Sequence, residues 1–530
     1  MRRMRRGEGG WPWLAAGSVA LSLLMVAALL VLLGARGLAH FWPADVELVS
    51  LTNGDRFAGQ WIRHVEISAK TRAETQAEAG GTSRTQVLYL TGNRDLDGQR
   101  WRWVDAGNIE RRETPPELIV LERRRWGTFI GRLIALREGD DALITDAASD
   151  EALWQMLQAR LARAEALRER REWLDENRVE PLARRLSASA EAMPGHAELL
   201  AEWNALQTQV AEIQHALARD TLLLESVGGR RLTQPLAEVL AAWRPNAMSP
   251  IAKLVSWGRR VWTFLSEGPH AANSAGGVWP AIFGTVLMVV LMSLIVTPFG
   301  MLAAVYLHEV ARQGPLTRLV RIAVRNLAGV PAIVYGVFGL GVFVYGIGGS
   351  LDQWFFSDTL PSPTFGTGGL LWASLTMALL TLPVVIVATE EGLARIPDHQ
   401  REGALALGAT RYEALRHVVL PMAMPAMLTG VILAVARAAG EVAPLMLVGA
   451  AKLAPHVPVD GEFPFLHLED KFMHLGYHLY NVGFLSADIE RAMPLVYATA
   501  LLLVSIIAVL NLTAIFLRHH LRARHRGLHR

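Results

Sequence analysis

The chain has no cysteine. That excludes disulfides and thiolate metal sites and leaves the redox compartment open. Histidine, aspartate and glutamate are present, but no ligand spacing such as H-E-x-x-H occurs, so no metal centre and no hydrolase constellation is expected. There is no G-x-x-x-x-G-K-[ST] loop, so the chain cannot cradle ATP phosphates itself. Net charge is also lacking: 52 Lys and Arg stand against 49 Asp and Glu, giving +3. That is too small an excess to argue for nucleic acid, so basic residues matter here by position. A cleavable leader is not expected either. No A-x-A-like site closes the first apolar run, and Ala35-Arg36 is a poor substitute.

What is present is a mixture. Of 530 residues, 52% are hydrophobic and 19% charged, and mean hydropathy is positive. Membrane spans joined to a soluble domain would give that balance. Residues 1–10 hold Arg2, Arg3, Arg5 and Arg6 ahead of an uncharged stretch at 13–34. About 22 residues at 1.5 Å each suffice to span. An uncleaved anchor with a cytoplasmic amino terminus is expected. Five more apolar segments follow at 280–307, 327–347, 370–388, 427–448 and 494–517, making six spans. Arginines cluster in loop 308–326, in the loop around 395–416 and in the tail, whereas loop 348–369 has no Lys or Arg. By the positive-inside rule the Arg-rich loops and both termini are cytoplasmic. The tail histidines read as part of a basic membrane-surface tail.

The ~240 residues after the first span contain no second span and should form a domain on the far side. Residues 45–63 read as a β-hairpin, with Asn53-Gly54 as a two-residue turn signal. Further strands are expected at 85–90, 101–104, 118–121 and 127–136, with a mobile loop at 70–83. From Ala147 the period becomes helical. Leu153, Leu157, Leu161, Ala164 and Leu167 form one stripe. Leu199, Trp203, Leu206, Val210, Ile213 and Leu217 form a second with heptad spacing. With Met193-Pro194-Gly195 between them, an antiparallel coiled-coil hairpin is expected at about 147–219. Strand pattern returns at 221–232, so the hairpin is inserted in a β-rich domain. Arg123–Arg125 and Arg168–Arg171 read as solvated faces. The domain's role is open between a structural, subunit-contacting module and a hairpin that receives a soluble partner. The expected organisation is 1–40 basic start and first span, 41–256 periplasmic domain, 257–518 membrane core and 519–530 basic tail.

Residues 398–421, DHQREGALALGATRYEALRHVVLP, form an amphipathic stretch between two apolar segments. A polar helix there must lie on the membrane surface or against a partner. Gly403, Ala404, Ala406, Gly408 and Ala409 let another surface approach, and Leu405, Leu407, Tyr412 and Leu415 can anchor it. An ordinary interfacial helix would look similar. Glu390-Glu391, at a helix end nearby, read as solvated or loop contacts, not general acids.

The segment 427–448 contains Arg437 and Glu441. A mid-span charge costs roughly 2.5–3.5 kcal/mol on insertion scales, and residues four apart share a helix face. Pro444 frees a carbonyl one turn back. The pair is either a structural ion pair or a polar element of a translocation path. An arginine fork suits tetrahedral oxyanions.

The E-G-A-x-x-x-G spacing of Glu402, Gly403, Ala404 and Gly408, ending in Leu420-Pro421, resembles the "EAA" loop of ABC-importer permeases. AVARAAGEVAPLML at 434–447 resembles the ARxxGETAPL signature of PstA-type permeases of phosphate ABC importers, with Val442 where Thr is usual. GMLAAVYLHE at 300–309 and NLAGVPAIVYGVFG at 326–339 extend the resemblance. Gly403 departs from the usual Glu-Ala-Ala, and the domain at 41–245 is not explained by the family. The resemblance implies an α-helical polytopic membrane protein with six spans in a type I ABC-importer permease fold. It implies no catalytic site and no cofactor in this chain, because ATP and Mg would be bound by the partner ATPase. It implies partners: a PstC-like permease, a PstB-like ATPase dimer, a periplasmic phosphate-binding protein and membrane lipid, with phosphate as substrate. A permease for molybdate or phosphonate, and a membrane-anchored periplasmic scaffold or sensor, are the rival readings.

Overall fold

The computed structural model describes residues 11–67, 84–139, 150–188, 195–270, 275–357, 360–454, 457–459, 461, 465–485 and 489–527. The basic start at 1–10, the expected loop at 70–83, Met193-Pro194 and the last tail residues, 528–530, lie outside the described residues. The chain forms two compact units, one of Met1–His40 with Thr263–Arg530 and one of Phe41–Trp262.

Helix α1 (Trp11–Ala39) opens the first unit. The second unit begins with β1 (Val46–Leu51) and β2 (Arg56–Ile67), paired antiparallel. Their turn is longer than the expected two residues. Leu51 N–H donates to the Asp55 carbonyl, so Thr52-Asn53-Gly54 form a three-residue loop with Gly54 at φ +87°. The left-handed third position is what such a loop needs, and glycine takes it without strain. Strands β3 (Arg84–Leu90), β4 (Trp101–Asp105) and β5 (Ile109–Glu113) complete a sheet ordered β4-β3-β2-β1-β5.

The same plan then recurs. Strands β6 (Ile119–Arg123) and β7 (Gly127–Glu138) form a hairpin. After the helices, β8 (Asp220–Glu225), β9 (Arg231–Pro235) and β10 (Val239–Trp243) close a sheet ordered β10-β6-β7-β8-β9. In both sheets the first strand pairs with the second and the fifth, and a 3₁₀ turn (Ala106–Asn108, Leu236–Glu238) precedes the fifth. The unit is an internal duplication. Its sequence trace is Glu47-Leu48-Val49-x-Leu51 with Phe57-x-Gly59, repeated as Glu117-Leu118-Ile119-x-Leu121 with Phe129-x-Gly131. Val49, Leu51 and Phe57 are buried in the first repeat, Ile119, Leu121 and Phe129 in the second. β1 is buried on both faces: Val49 and Leu51 pack within their own repeat, while Val46 joins Leu118, Val120 and Ile130 of the other.

Helices α2 (Asp150–Leu174), α3 (Glu180–Ala188) and α4 (His196–Ala218) fill the connection between the paired strands β7 and β8. This is the insertion expected from the sequence. Both stripes are apolar and inward. Leu153, Leu157, Leu161, Ile213 and Leu217 share one core with Phe129, Leu222 and Val239, so the helices close over the second sheet as well as against each other. Leu199 and Trp203, at the far end of the second stripe, are only half-buried.

Two arginine readings need correction. Arg124 and Arg125 are exposed, but Arg123 is among the most buried side chains of the unit. Its guanidinium holds both oxygens of Asp95, at 2.7 and 2.8 Å, and also donates to Gln234 and to the Gly127 carbonyl. A charge that deep persists only when paired in this way. Arg168 is half-buried and donates to the carbonyls of Leu236, Ala237 and Val239. Each arginine satisfies groups that were remote in sequence, which is why local pattern read them as solvated.

Helix α5 (Trp279–Val305) returns to the first unit and runs on through a π turn at Tyr306–Val310. There follow α6 (Pro315–Leu327), α7 (Ala332–Phe338), α8 (Leu370–Ala394), α9 (Asp398–Ala406), α10 (Leu420–Gly440), α11 (Leu475–Phe484) and α12 (Ile489–Gly527). Among the described residues, six helical stretches are long and apolar enough to cross a membrane: Trp13–Ala39, Trp279–Val310, Ala332–Phe355, Leu370–Ala394, Arg411–Gly440 and Ala492–His520. Helix α8 is the centre: 67% of its most apolar window is buried by the chain, against 0% for the first and last spans. It packs on α5 and α10 through Met288, Met292, Met377, Leu380, Val385, Ala434 and Ala438.

The Arg123–Asp95 pair generates a stability prediction. Burial alone would raise the Asp95 pKa, but the hydrogen bonds and charge of Arg123 lower it by more, and the net shift is downward. Stability from the pair is therefore complete above the ordinary carboxylate range, about pH 3.9, and is lost as pH falls through the lowered value in the folded protein. Asp95→Asn should destabilise the β-rich unit by about 3 kcal/mol at neutral pH. In thermal melts the gap from wild type should stay constant at neutral pH and narrow in acid. A gap that does not narrow would show that the pair supplies no proton-linked stability.

Candidate functional site

The stretch at 398–421 is not one element. Helix α9 stops at Ala406, and a Schellman motif closes it: Ala409 N–H reaches back to the Ala404 carbonyl and Gly408 N–H to that of Leu405. Gly408 sits at φ +90°, with open space where a Cβ would be. A side chain would fit there but would strain the backbone. The helix restarts at Thr410, whose hydroxyl accepts from Glu413 N–H while its own N–H donates to the Glu413 carboxylate. This capping box begins the fifth span. That span runs Arg411–Gly440, not 427–448 as expected from hydropathy. Arg411, Glu413, Arg416 and His417 lower the apolar signal at its start but do not interrupt the helix.

Glu402, Gly403 and Gly408 are exposed and Ala404 is half-buried, all on or at the end of α9. Leu407 is 91% exposed, and Leu405 and Tyr412 also face outward. Leu415, expected as an anchor, instead packs inward against the cluster around Val419 and Ala423. The result is an exposed corner with a protruding leucine beside two glycines that leave its backbone open. Chemically it can accept another surface and can do little else.

Arg437 and Glu441 are paired, Nε to Oε1 at 3.4 Å. They do not share a mid-span helix face as expected. α10 ends at Gly440, Arg437 lies in its last turn, and Glu441 is already extended. The reason is Pro444, which cannot donate to the Gly440 carbonyl and disfavours helical backbone at Ala443. The chain resumes as a single turn at Leu445–Val448. Ala434, Ala438 and Ala439 are fully buried, as expected of small residues that let neighbours close in. The side chains of the pair are not: Arg437 is 32% and Glu441 27% exposed. The closest approach between the two side chains is Glu441 Oε1 to Nε of Arg437.

Residues 296–527 match the family described as the binding-protein-dependent transport system inner membrane component. Among characterised relatives, the chain is 35% identical over 208 residues to the phosphate transport system permease protein PstA of Mycobacterium leprae. That match covers 39% of this chain and 62% of the relative. It is 32% identical over 223 residues to the probable ABC transporter permease protein YqgH of Bacillus subtilis, covering 42% of this chain and 65% of that one. The chain thus spans less than two thirds of the length of either relative. Among solved structures, an inward-facing methionine ABC transporter, MetNI, overlaps with TM-score 0.33 at 18% identity, covering 52% of this chain and 99% of that one. The duplicated β unit, Phe41–Trp262, lies outside the matched family region.

The membrane unit also holds ion pairs that sequence reasoning did not find. Arg401, beside Glu402, donates to Glu309 at 2.7 Å. Arg321 of α6 donates to Glu390 at 3.0 Å. Glu390, read as solvated or a loop contact, is buried, whereas Glu391 is exposed. The partners lie 92 and 69 residues apart in sequence, so no local spacing signals them.

The permease's exposed corner is directly testable because the chain has no cysteine. A single Leu407→Cys variant should react with a maleimide at least about tenfold faster than Ala414→Cys, since thiol reactivity follows exposure and Ala414 is buried. Equal rates would mean that the corner is covered within the chain itself.

Proposed function

We propose that the chain is a transmembrane permease subunit of an ATP-driven phosphate importer, and that it forms half of the translocation path. The observation that carries the reading is the Arg437 side chain: paired with Glu441, partly exposed, and set in the last turn of a helix that ends at Gly440. Such a fork gives charge-assisted, bidentate hydrogen bonds to a phosphate oxyanion. Glu441 holds the guanidinium while no anion is present and yields to it when one arrives, so that neither state leaves a bare buried charge. The similarity to PstA of Mycobacterium leprae supports phosphate as the oxyanion.

The α9 corner is the docking point for a partner ATPase. Glu402, Gly403, Ala404 and Gly408 form its backbone-exposed face and Leu407 its anchor. The partners are a second, PstC-like permease, a PstB-like ATPase dimer that binds the ATP and Mg, and a periplasmic phosphate-binding protein. The arginine-rich loops support a cytoplasmic α9 and cytoplasmic termini, with the β-rich unit periplasmic. Between the corner and the charged pair runs one helical span, Arg411–Gly440, with a π turn at Leu415–Val419, of roughly 45 Å at 1.5 Å per residue. Movement of the corner under ATP is delivered along that rod to Arg437.

Two variants separate the two ends of the rod. Arg437→Gln should cut ATP-dependent phosphate uptake in vesicles about 10–100-fold, the worth of one charged hydrogen bond of about 1.5–3 kcal/mol. ATPase binding should be unchanged. Gly408→Asp should abolish uptake and ATPase binding together. Normal uptake by Arg437→Gln would remove that residue from the path. Normal uptake and binding by Gly408→Asp would mean the docking point is elsewhere.

A further inference from the structure

Four segments meet where the permease's spans end next to α9. Arg401, on α9, donates through Nη2 to Glu309 at 2.7 Å and to the Leu393 carbonyl at 3.2 Å, and through Nη1 to the Ile396 carbonyl at 3.0 Å. Glu309 belongs to the π turn that ends the α5 span, and Leu393 and Ile396 lie at and just past the end of α8. Arg321 repeats the arrangement from α6. It donates through Nε to Glu390 of α8 and through Nη2 to the Leu307 carbonyl in the same π turn. The Arg401 and Glu309 side chains are only 19% and 17% exposed. α9 itself buries no residue of its own. Beyond its chain connections, the side-chain hydrogen bonds from α9 to the spans come, among the described residues, from this one arginine.

We propose that Arg401 is a positioning residue through which movement of α9 is transmitted to the ends of the α5 and α8 spans, with Glu309 as its obligatory counterpart. A guanidinium suits this role because its planar fork holds a carboxylate and helix-end carbonyls at once. Those carbonyls carry the negative end of the helix dipole. The π turn is a local widening of the helix with i→i+5 bonds, of a kind that appears frequently at functional sites. A pull on α9 therefore reaches two spans at the same instant, one by ion pair and one by carbonyl contacts. This inference rests on the ATP-coupled permease reading above and adds to it the residue that carries the stroke.

The test uses the whole complex in proteoliposomes: this chain, its partner permease and ATPase, with the phosphate-binding protein added. ATP hydrolysis and phosphate uptake are measured on the same vesicles. Arg401→Gln and Glu309→Gln should each leave the ATPase bound and hydrolysing while uptake per ATP falls about tenfold, equivalent to about 1.4 kcal/mol. The double variant should fall no further than the worse single one, because the two act as a unit. Arg401→Lys, which keeps the charge but not the fork, should recover part of the loss. Independent, multiplying losses would overturn the inference, as would an unchanged uptake-to-hydrolysis ratio. Loss of uptake in proportion to loss of bound ATPase would assign Arg401 to docking alone and equally overturn it. Wild-type complex that hydrolyses ATP without moving phosphate would refute the permease reading itself, a result distinguishable from all of these.

Discussion

A proline cannot donate a backbone hydrogen bond, and much of the membrane unit follows from where Pro444 stands. It leaves the Gly440 carbonyl without its helical donor and ends α10 there. Broken backbone of this kind is tolerated at membrane depth only where protein or a water-filled path surrounds it. The surroundings are supplied by small residues. Gly336 of α7 sits so close to Pro444 that an added Cβ would lie 2.7 Å from its Cα. The break also separates Glu441 from the helix that carries Arg437, so their pairing spans two backbone states. A pair fixed along one continuous helix face could not open as readily.

The other end of the same helix shows the complementary device. Gly408, left-handed and unobstructed, ends α9, and Thr410 with Glu413 starts the long helix two residues later. A short, outward-facing helix is thereby set at the head of a rod of 30 residues. The corner leaves its backbone and Leu407 exposed while Arg401 ties it to neighbouring spans. An exposed corner, a long helical span and a charged pair at a helix end lie in series along one stretch of chain.

Much of this was legible from residue order because the signals are local. Six apolar runs and the small residues at 403–409 need no knowledge of the rest of the fold. The start of the fifth span was misplaced because Arg411, Glu413, Arg416 and His417 dilute an apolar window. Yet Thr410-x-x-Glu413, a capping box written in the sequence, marked it. The duplication was also written there, as Glu-Leu-[Val/Ile]-x-Leu followed by Phe-x-Gly. The hairpin between the two motifs is two residues longer in the second copy, and the helical insertion conceals the rest. The burial of Arg123 and the Arg401–Glu309 pair were not legible. Each joins residues far apart in the chain, and a charged side chain looks the same in sequence whether it meets water or a remote carboxylate.

The most direct test is substrate accumulation against a gradient. Purified wild-type protein, reconstituted with its partner permease, ATPase and phosphate-binding protein, should concentrate phosphate in vesicles only when ATP is hydrolysed. Excess phosphate should compete for that uptake, and molybdate or phosphonate should not. Accumulation that proceeds without ATP, or that favours another oxyanion over phosphate, would contradict the account.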